Sequence, residues 1–259
     1  MLLSIGNDAK TVHGEEVGYL TAVQYLAPHK ISGIDVCKYA TPGCSSACLF
    51  TAGRGQQTQV QTARIRRTNY LFGNRTQYFL DLEREISAFI RKANRIGFIP
   101  TVRLNGTSDL PYERMPFIGK DGRRYESIMD RFQDLKFYDY TKDPNRAADQ
   151  PYNLTYSRAE TPTNQAHALD LLKQGINVAV VFGVSNRKDK LGNKKPLPQT
   201  WQGFKVIDGD INDLRFLDPA GVVVGLRNKG KATKDSTGFV IPISKAHVDR
   251  KRGFVIPIS

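Results

Sequence analysis

The run Asp35-Val-Cys-Lys-Tyr-Ala-Thr-Pro-Gly-Cys-Ser-Ser-Ala-Cys48 continues through Leu49-Phe-Thr-Ala to Gly53-Arg-Gly55. It holds all three cysteines of the chain, Cys37, Cys44 and Cys48, in the spacing Cys-x6-Cys-x3-Cys. An extended apolar segment precedes it and a polar helical pattern follows. It therefore reads as the loop of a strand–loop–helix unit, and the rest of the chain as the scaffold around it. An odd count of three thiols argues against a disulfide framework. In a reducing compartment, clustered thiols point to metal binding or redox chemistry.

Upstream, residues 17–26 are β-branched and aromatic-rich and read as a strand. Downstream, a helix is expected from about Gln59 to Phe72, ending near Gly73. A second runs from about Gln77 to Arg95, with Thr76 as its N-cap and Gly97 as its stop. Phe79, Leu82, Ile86, Phe89, Ile90 and Ala93 recur at three- and four-residue steps, which gives that helix one buried face.

A rhythm follows. Strands are expected over 100–106, 136–142, 153–158, 177–184, 204–208 and 221–226, with helices over 127–135 and 164–174. Alternation of this kind implies parallel pairing through right-handed crossovers. Six or seven such units make either a doubly wound sheet or a full or partial barrel, and the expected fold is α/β, a partial (β/α) barrel of roughly six or seven parallel strands. In such folds the strand C-terminal ends form the active face. Polar residues stand at those ends: Asn105, Ser108, Asp109, Asp139, Lys142, Ser157, Arg158, Asp208 and Arg227. Residues 1–240 read as one domain with the cysteine loop at 35–55. Residues 241–259 read as a tail, in which Gly238-Phe-Val-Ile-Pro-Ile-Ser244 recurs letter for letter as Gly253–Ser259. Two copies are too few for a repeat architecture, and no catalytic role is assigned to them.

The chain has 259 residues, with 38 basic against 25 acidic side chains, a net charge of +13. Such a field attracts polyanions, so nucleic acid, a nucleotide or another small anionic molecule stands among the expected partners. The basic loop at 185–203 reads as a lid, a phosphate contact or mobile surface. The longest apolar run, Ile176–Phe182, is far short of a membrane span. A cytoplasmic location is expected.

Thiolates suit zinc and iron–sulfur clusters. Structural zinc prefers four protein ligands, usually in two close pairs. Here there are three thiols, and none of His13, His29, His167 and His247 stands in a ligand-like arrangement with them. A [4Fe-4S] cluster on Cys37, Cys44 and Cys48 is the first reading, with one iron left for another ligand. A non-catalytic, basic, nucleic-acid-associated protein with structural zinc is the alternative. Hydrolase, phosphate-loop and dinucleotide motifs are absent. Gly53-Arg54-Gly55, at a helix entry after the thiols, is a candidate anion contact through Arg54.

These motifs carry a resemblance. The cysteine loop, Val102–Asp109, Phe137–Lys142, Asn153–Arg158 and Val206–Pro219 resemble the bacteriophage three-cysteine proteins of the gene product eighty-eight group. That group is distantly similar to radical S-adenosylmethionine enzymes. The resemblance implies a phage-encoded protein of the host cytoplasm, a radical-SAM-like partial barrel, an iron–sulfur cluster and S-adenosylmethionine as a cosubstrate. From their places at the strand ends and in the loop, Asn105, Ser108, Ser157 and Arg54 are the expected cofactor-binding residues, and the resemblance puts Asp109 or Ser108 where the methionine amino group would be held. Asp109, Asp139, Lys142, Arg158, Asp208 and Arg227 would line the reaction cavity. Radical enzymes space their cysteines x3 then x2, against x6 then x3 here. Where they carry a Gly-Gly-Glu-like segment, this chain reads Asn105-Gly-Thr-Ser-Asp109.

Overall fold

The computed structural model describes residues 1–6, 9–187 and 189–243. Lys188, Ser244 and the second heptapeptide copy lie outside the described residues, as do His247 and the basic run at 250–252.

Eleven strands and seven helices are present among the described residues. The strands are β1 (Leu3–Ile5), β2 (Tyr19–Gln24), β3 (Ile99–Arg103), β4 (Phe117–Ile118), β5 (Arg124–Tyr125), β6 (Lys136–Thr141), β7 (Asn153–Ser157), β8 (Val178–Ser185), β9 (Thr200–Trp201), β10 (Phe204–Asp208) and β11 (Val223–Asn228). The helices are α1 (Ala9–Glu15), α2 (Pro42–Ser46), α3 (Thr58–Gly73), α4 (Arg75–Arg95), α5 (Ile128–Arg131), α6 (Pro144–Asp149) and α7 (Pro162–Lys173).

Nine strands form one sheet in the order β1-β2-β3-β6-β7-β8-β11-β10-β9, and β4 and β5 form a separate hairpin. The run from β2 to β10 is parallel throughout, seven strands in all. β1 and β9 are antiparallel edges. The parallel α/β expectation holds. The sheet does not close into a barrel, because β1 and β9 are its two free ends. Among the described residues no helix is long and apolar enough to cross a membrane.

The last strand departs most from the chain order. β11 inserts between β8 and β10 rather than following β10 to the edge. Its composition explains this. Val223 and Val224 are fully buried, as a strand covered on both faces requires. β10 alternates Phe204, Lys205 and Val206, is half-exposed, and sits nearer the edge.

Helix α4 covers one face through Tyr78, Phe79, Leu82, Ile86, Phe89 and Ala93, all buried. Its N-cap is Asn74, whose side chain accepts from the Gln77 N–H at 3.2 Å, rather than Thr76. Gly97 follows its end at φ 79°, as expected. The helix expected over 127–135 is a single turn, Ile128–Arg131, started by Ser127 as N-cap.

β7 and β8 pair only where the end of β7 meets the start of β8, through Tyr156 with Val178 and Ser157 with Ala179. Beyond that point they part, and the first heptapeptide copy fills the gap. Ile241 donates its N–H to Val181 at 2.8 Å and accepts from the Gly183 N–H at 2.8 Å. The chain thus continues into the sheet past residue 240.

Candidate thiol site at the strand ends

The cysteine loop lies across the C-terminal ends of the parallel strands, and long-range hydrogen bonds fix it there. On the β3 side, Asp109 donates its N–H to Val36 at 2.8 Å. The Cys37 sulfur accepts from the His29 N–H at 3.3 Å and points its own hydrogen at the Thr107 carbonyl, 3.8 Å away. On the β7 side, the Glu160 carboxylate accepts from the Gly43 N–H and from the Thr41 hydroxyl, both at 2.7 Å. Thr41 in turn caps α2 by accepting from the Cys44 N–H at 3.2 Å. After β11, Gly230 abuts the loop so closely that a Cβ there would lie 2.9 Å from the Ala52 Cβ.

The three thiols are half-buried, and the charges of Cys44 and Cys48 act on Cys37. Burial pushes the Cys37 thiol up to about 12. Cys48 is raised as well, again by burial, against the pull of Arg64 and Lys142. Two buried cations therefore reach the thiol group. Lys142, 8% exposed, directs its Nζ to uncharged oxygens, Ser157 Oγ at 2.8 Å and the carbonyls of Ser157 and Arg158 at 3.0 and 3.3 Å. Arg64, 7% exposed, leaves Nε and Nη1 without a hydrogen-bond partner.

Most of the polar residues read from the sequence as catalytic are committed to the scaffold. Asp109 accepts from the Lys142 N–H at 2.8 Å and pairs with Arg146 at 2.6 Å. Asp139 accepts from the N–H groups of Leu104 and Asn105 at 3.2 and 3.0 Å, and Arg103 lies at 3.4 Å. Asn105 binds the Leu110 carbonyl and accepts from Ser108 and from the Leu110 N–H, so Asn105 and Ser108 brace the turn. Arg158 donates to the carbonyls of Gly238 and Phe239 at 2.7 and 2.9 Å and anchors the inserted segment. Asp208 and Arg227 pair at 2.8 Å in a separate ionic cluster with Asp210 and Lys229, strands away from the β3–β7 ends. Arg54 is exposed on the loop. Of this set, Lys142, with Ser157 as its acceptor, and Asp109 are the residues brought to the thiols.

Glu160, Gly43 and Arg64 were not among the residues singled out from sequence. Glu160 had a visible signal, a carboxylate directly after the strand at 153–158. Arg64 had none, since one arginine on a polar helix looks like its neighbours.

The match to known proteins extends over most of the chain: the model of the family described as gene product 88 covers residues 1–243. The chain belongs to the gene product 88 family. No curated protein and no solved structure matches it. The expected likeness to radical S-adenosylmethionine enzymes gains no support from these comparisons, and membership of the family by itself assigns no reaction. The matched span takes in the cysteine loop, Glu160, and the segment through Ile243 that fills the gap beside β8.

Proposed function

We propose that this protein holds an iron–sulfur cluster on Cys37, Cys44 and Cys48 at the strand-end face, and acts there on an anionic substrate. The observation that supports this is the charge balance. Arg64 and Lys142 are buried cations beside Cys48, and the hydrogen bonds of Lys142 go to uncharged oxygens while Arg64 keeps unspent donors. Buried charge is costly unless countered. Thiols held protonated by burial offer no counter-charge, whereas metal-bound thiolates do, because metal binding removes their protons.

The donor set favours a cluster over a single ion. Structural zinc prefers four protein ligands, whereas the loop supplies three thiols, the number that holds a cluster with one iron left open. A multi-iron core spreads its thiolates more widely. When bound on three cysteines, it supplies Lewis-acid or one-electron chemistry at an iron without a protein thiolate. The chain's own part is to bury the thiols, to balance their charge through Arg64 and Lys142, and to brace the loop through Glu160. Exposed Lys38, Arg54, Lys231 and Lys234 lie on the loop and on the turn packed against it, which favours a phosphate-bearing substrate such as a nucleotide or nucleic acid.

The test is iron, sulfide and zinc analysis of anaerobically purified protein, with EPR in the presence and absence of S-adenosylmethionine. Iron and sulfide together in the wild type, lost in Cys44→Ser and Cys48→Ser, support the reading. Stoichiometric zinc without sulfide replaces it with the structural-zinc alternative. An EPR change on adding S-adenosylmethionine assigns radical chemistry, and its absence favours a Lewis-acid role.

A further inference from the structure

Arg64 is a buried cation near the thiols whose polar chemistry the fold leaves unfinished. It lies in the middle of α3 and is 7% exposed. Its guanidinium faces the rings of Tyr25 at 4.9 Å and Phe50 at 5.5 Å. Phe50 belongs to the cysteine loop, two residues after Cys48. Nε and Nη1 are buried and have no hydrogen-bond partner, which leaves three N–H donors unspent. Arg67, on the same helix, makes the contrast. Its Nε donates to Met1 O at 3.1 Å and its Nη1 to Tyr25 O at 3.4 Å. A buried cation with unspent donors implies an acceptor that protein atoms do not provide. The aromatic rings offer none of that strength. The ring of Phe50 holds the guanidinium against the cysteine loop, so sulfur of the proposed thiolate cluster is the neighbouring acceptor.

We propose that Arg64 donates its unspent N–H groups to negatively charged sulfur of the thiolate cluster on the Cys48 side, and thereby raises the cluster's reduction potential. This rests on the iron–sulfur reading of that face. A cation and N–H···S hydrogen bonds stabilise the more negative, reduced state over the oxidised one. The aromatic clamp keeps water from competing. Arg64 is thus a positioning residue for the cluster, with the planar group that stacks on rings where a lysine ammonium would not.

The experiment uses the anaerobically purified full chain as wild type, Arg64→Gln, Arg64→Lys and Arg67→Gln. Iron and sulfide analysis of the wild type comes first. If both are absent, the iron–sulfur reading fails and the assignment of Arg64 falls with it. With the cluster present, an EPR-monitored redox titration reads the variants. Arg64→Gln is expected to shift the one-electron equilibrium at least tenfold toward the oxidised form, a fall of about 59 mV. Arg64→Lys keeps the charge and is expected to shift it less, by about threefold, while Arg67→Gln stays at the wild-type value. An unchanged potential in Arg64→Gln overturns the role and leaves the cluster reading standing. An equal fall in Arg67→Gln also overturns it, because long-range charge alone would then account for the effect. Where Arg64→Gln retains no cluster, Arg64→Lys decides, and a wild-type potential in that variant overturns the proposal.

Discussion

The Glu160 carboxylate holds the Gly43 N–H at 2.7 Å, and with its other oxygen the Thr41 hydroxyl at 2.7 Å. These residues lie 117 positions apart in the chain. The clasp ties the turn that carries Cys44 to the end of β7. A Cβ on Gly43 would stand 2.7 Å from the Glu160 carboxyl carbon, so glycine is needed for the approach.

Glu160→Ala leaves two donors without their charged acceptor and is expected to cost about 2 kcal/mol. Glu160→Gln, which keeps one acceptor oxygen, is expected to cost about half as much. Gly43→Ala forces the clasp apart and should cost about 1–3 kcal/mol. Urea unfolding measures all three. An alanine variant at position 160 that matches the wild type would mean the clasp contributes nothing to folding.

Asp139 gives the fold a pH dependence. Burial pushes its carboxyl up to about 7, against the pull of Arg103 and the backbone N–H of Asn105. Unfolded, the group titrates near the ordinary value of about 3.9. Between about pH 4 and 7 the folded state keeps a proton that the unfolded state has released. Stability from this group is therefore present on the acid side and falls as pH rises through that window, by an amount on the order of a few kcal/mol. Asp218, raised to about 6 mainly by burial, acts in the same direction. Unfolding free energies at pH 4.5, 6 and 7.5 should converge between wild type and Asp139→Asn toward low pH and diverge toward high pH. Parallel profiles would contradict the assignment.

Arg146 is caught between two acids, Asp109 at 2.6 Å and Glu113 at 2.8 Å, with its side chain 3% exposed. Removing it by Arg146→Met strands two buried carboxylates and is expected to cost about 3–5 kcal/mol. The double change Arg146→Met with Glu113→Gln should recover part of that loss, since one stranded charge is gone. Thermal and urea unfolding of the pair measure the coupling, and strict additivity would dissolve the cage.

The segment that fills the gap beside β8 depends on main-chain pairing. Ile241→Pro removes the N–H that meets Val181 at 2.8 Å and should cost about 2 kcal/mol. Because Phe239 lies 5.3 Å from the Lys142 ammonium, the same change is expected to lower retention of the proposed cluster as well as stability. A retained cluster with lowered stability would limit the segment to a scaffold role.

The elements with strong local patterns were legible. The α4 stripe at three- and four-residue steps, the apolar strands and the three clustered thiols each announce themselves over short distances. The N-cap of α4 was less so, since Asn74 and Thr76 are both competent caps and the backbone geometry chooses between them. What the polar residues at the strand ends do in the fold was not legible, for a physical reason. A polar side chain at a strand end looks the same in a sequence whether it faces a cavity or closes a buried hydrogen-bond network. Asp109, Asp139, Asn105 and Arg158 prove to close networks.

By itself, the chain's order of residues determined a parallel α/β protein with its thiols in a loop after the first parallel strand, because periodicity and cysteine spacing are local quantities. Tertiary structure alone decided that the sheet stays open, that β11 enters between β8 and β10, and that Glu160 and Arg64 come to the thiols. Those outcomes depend on which distant partners satisfy each buried donor, acceptor and charge. Arg64 is the clearest case: a helix residue like its neighbours until burial takes away its water and leaves its donors unspent.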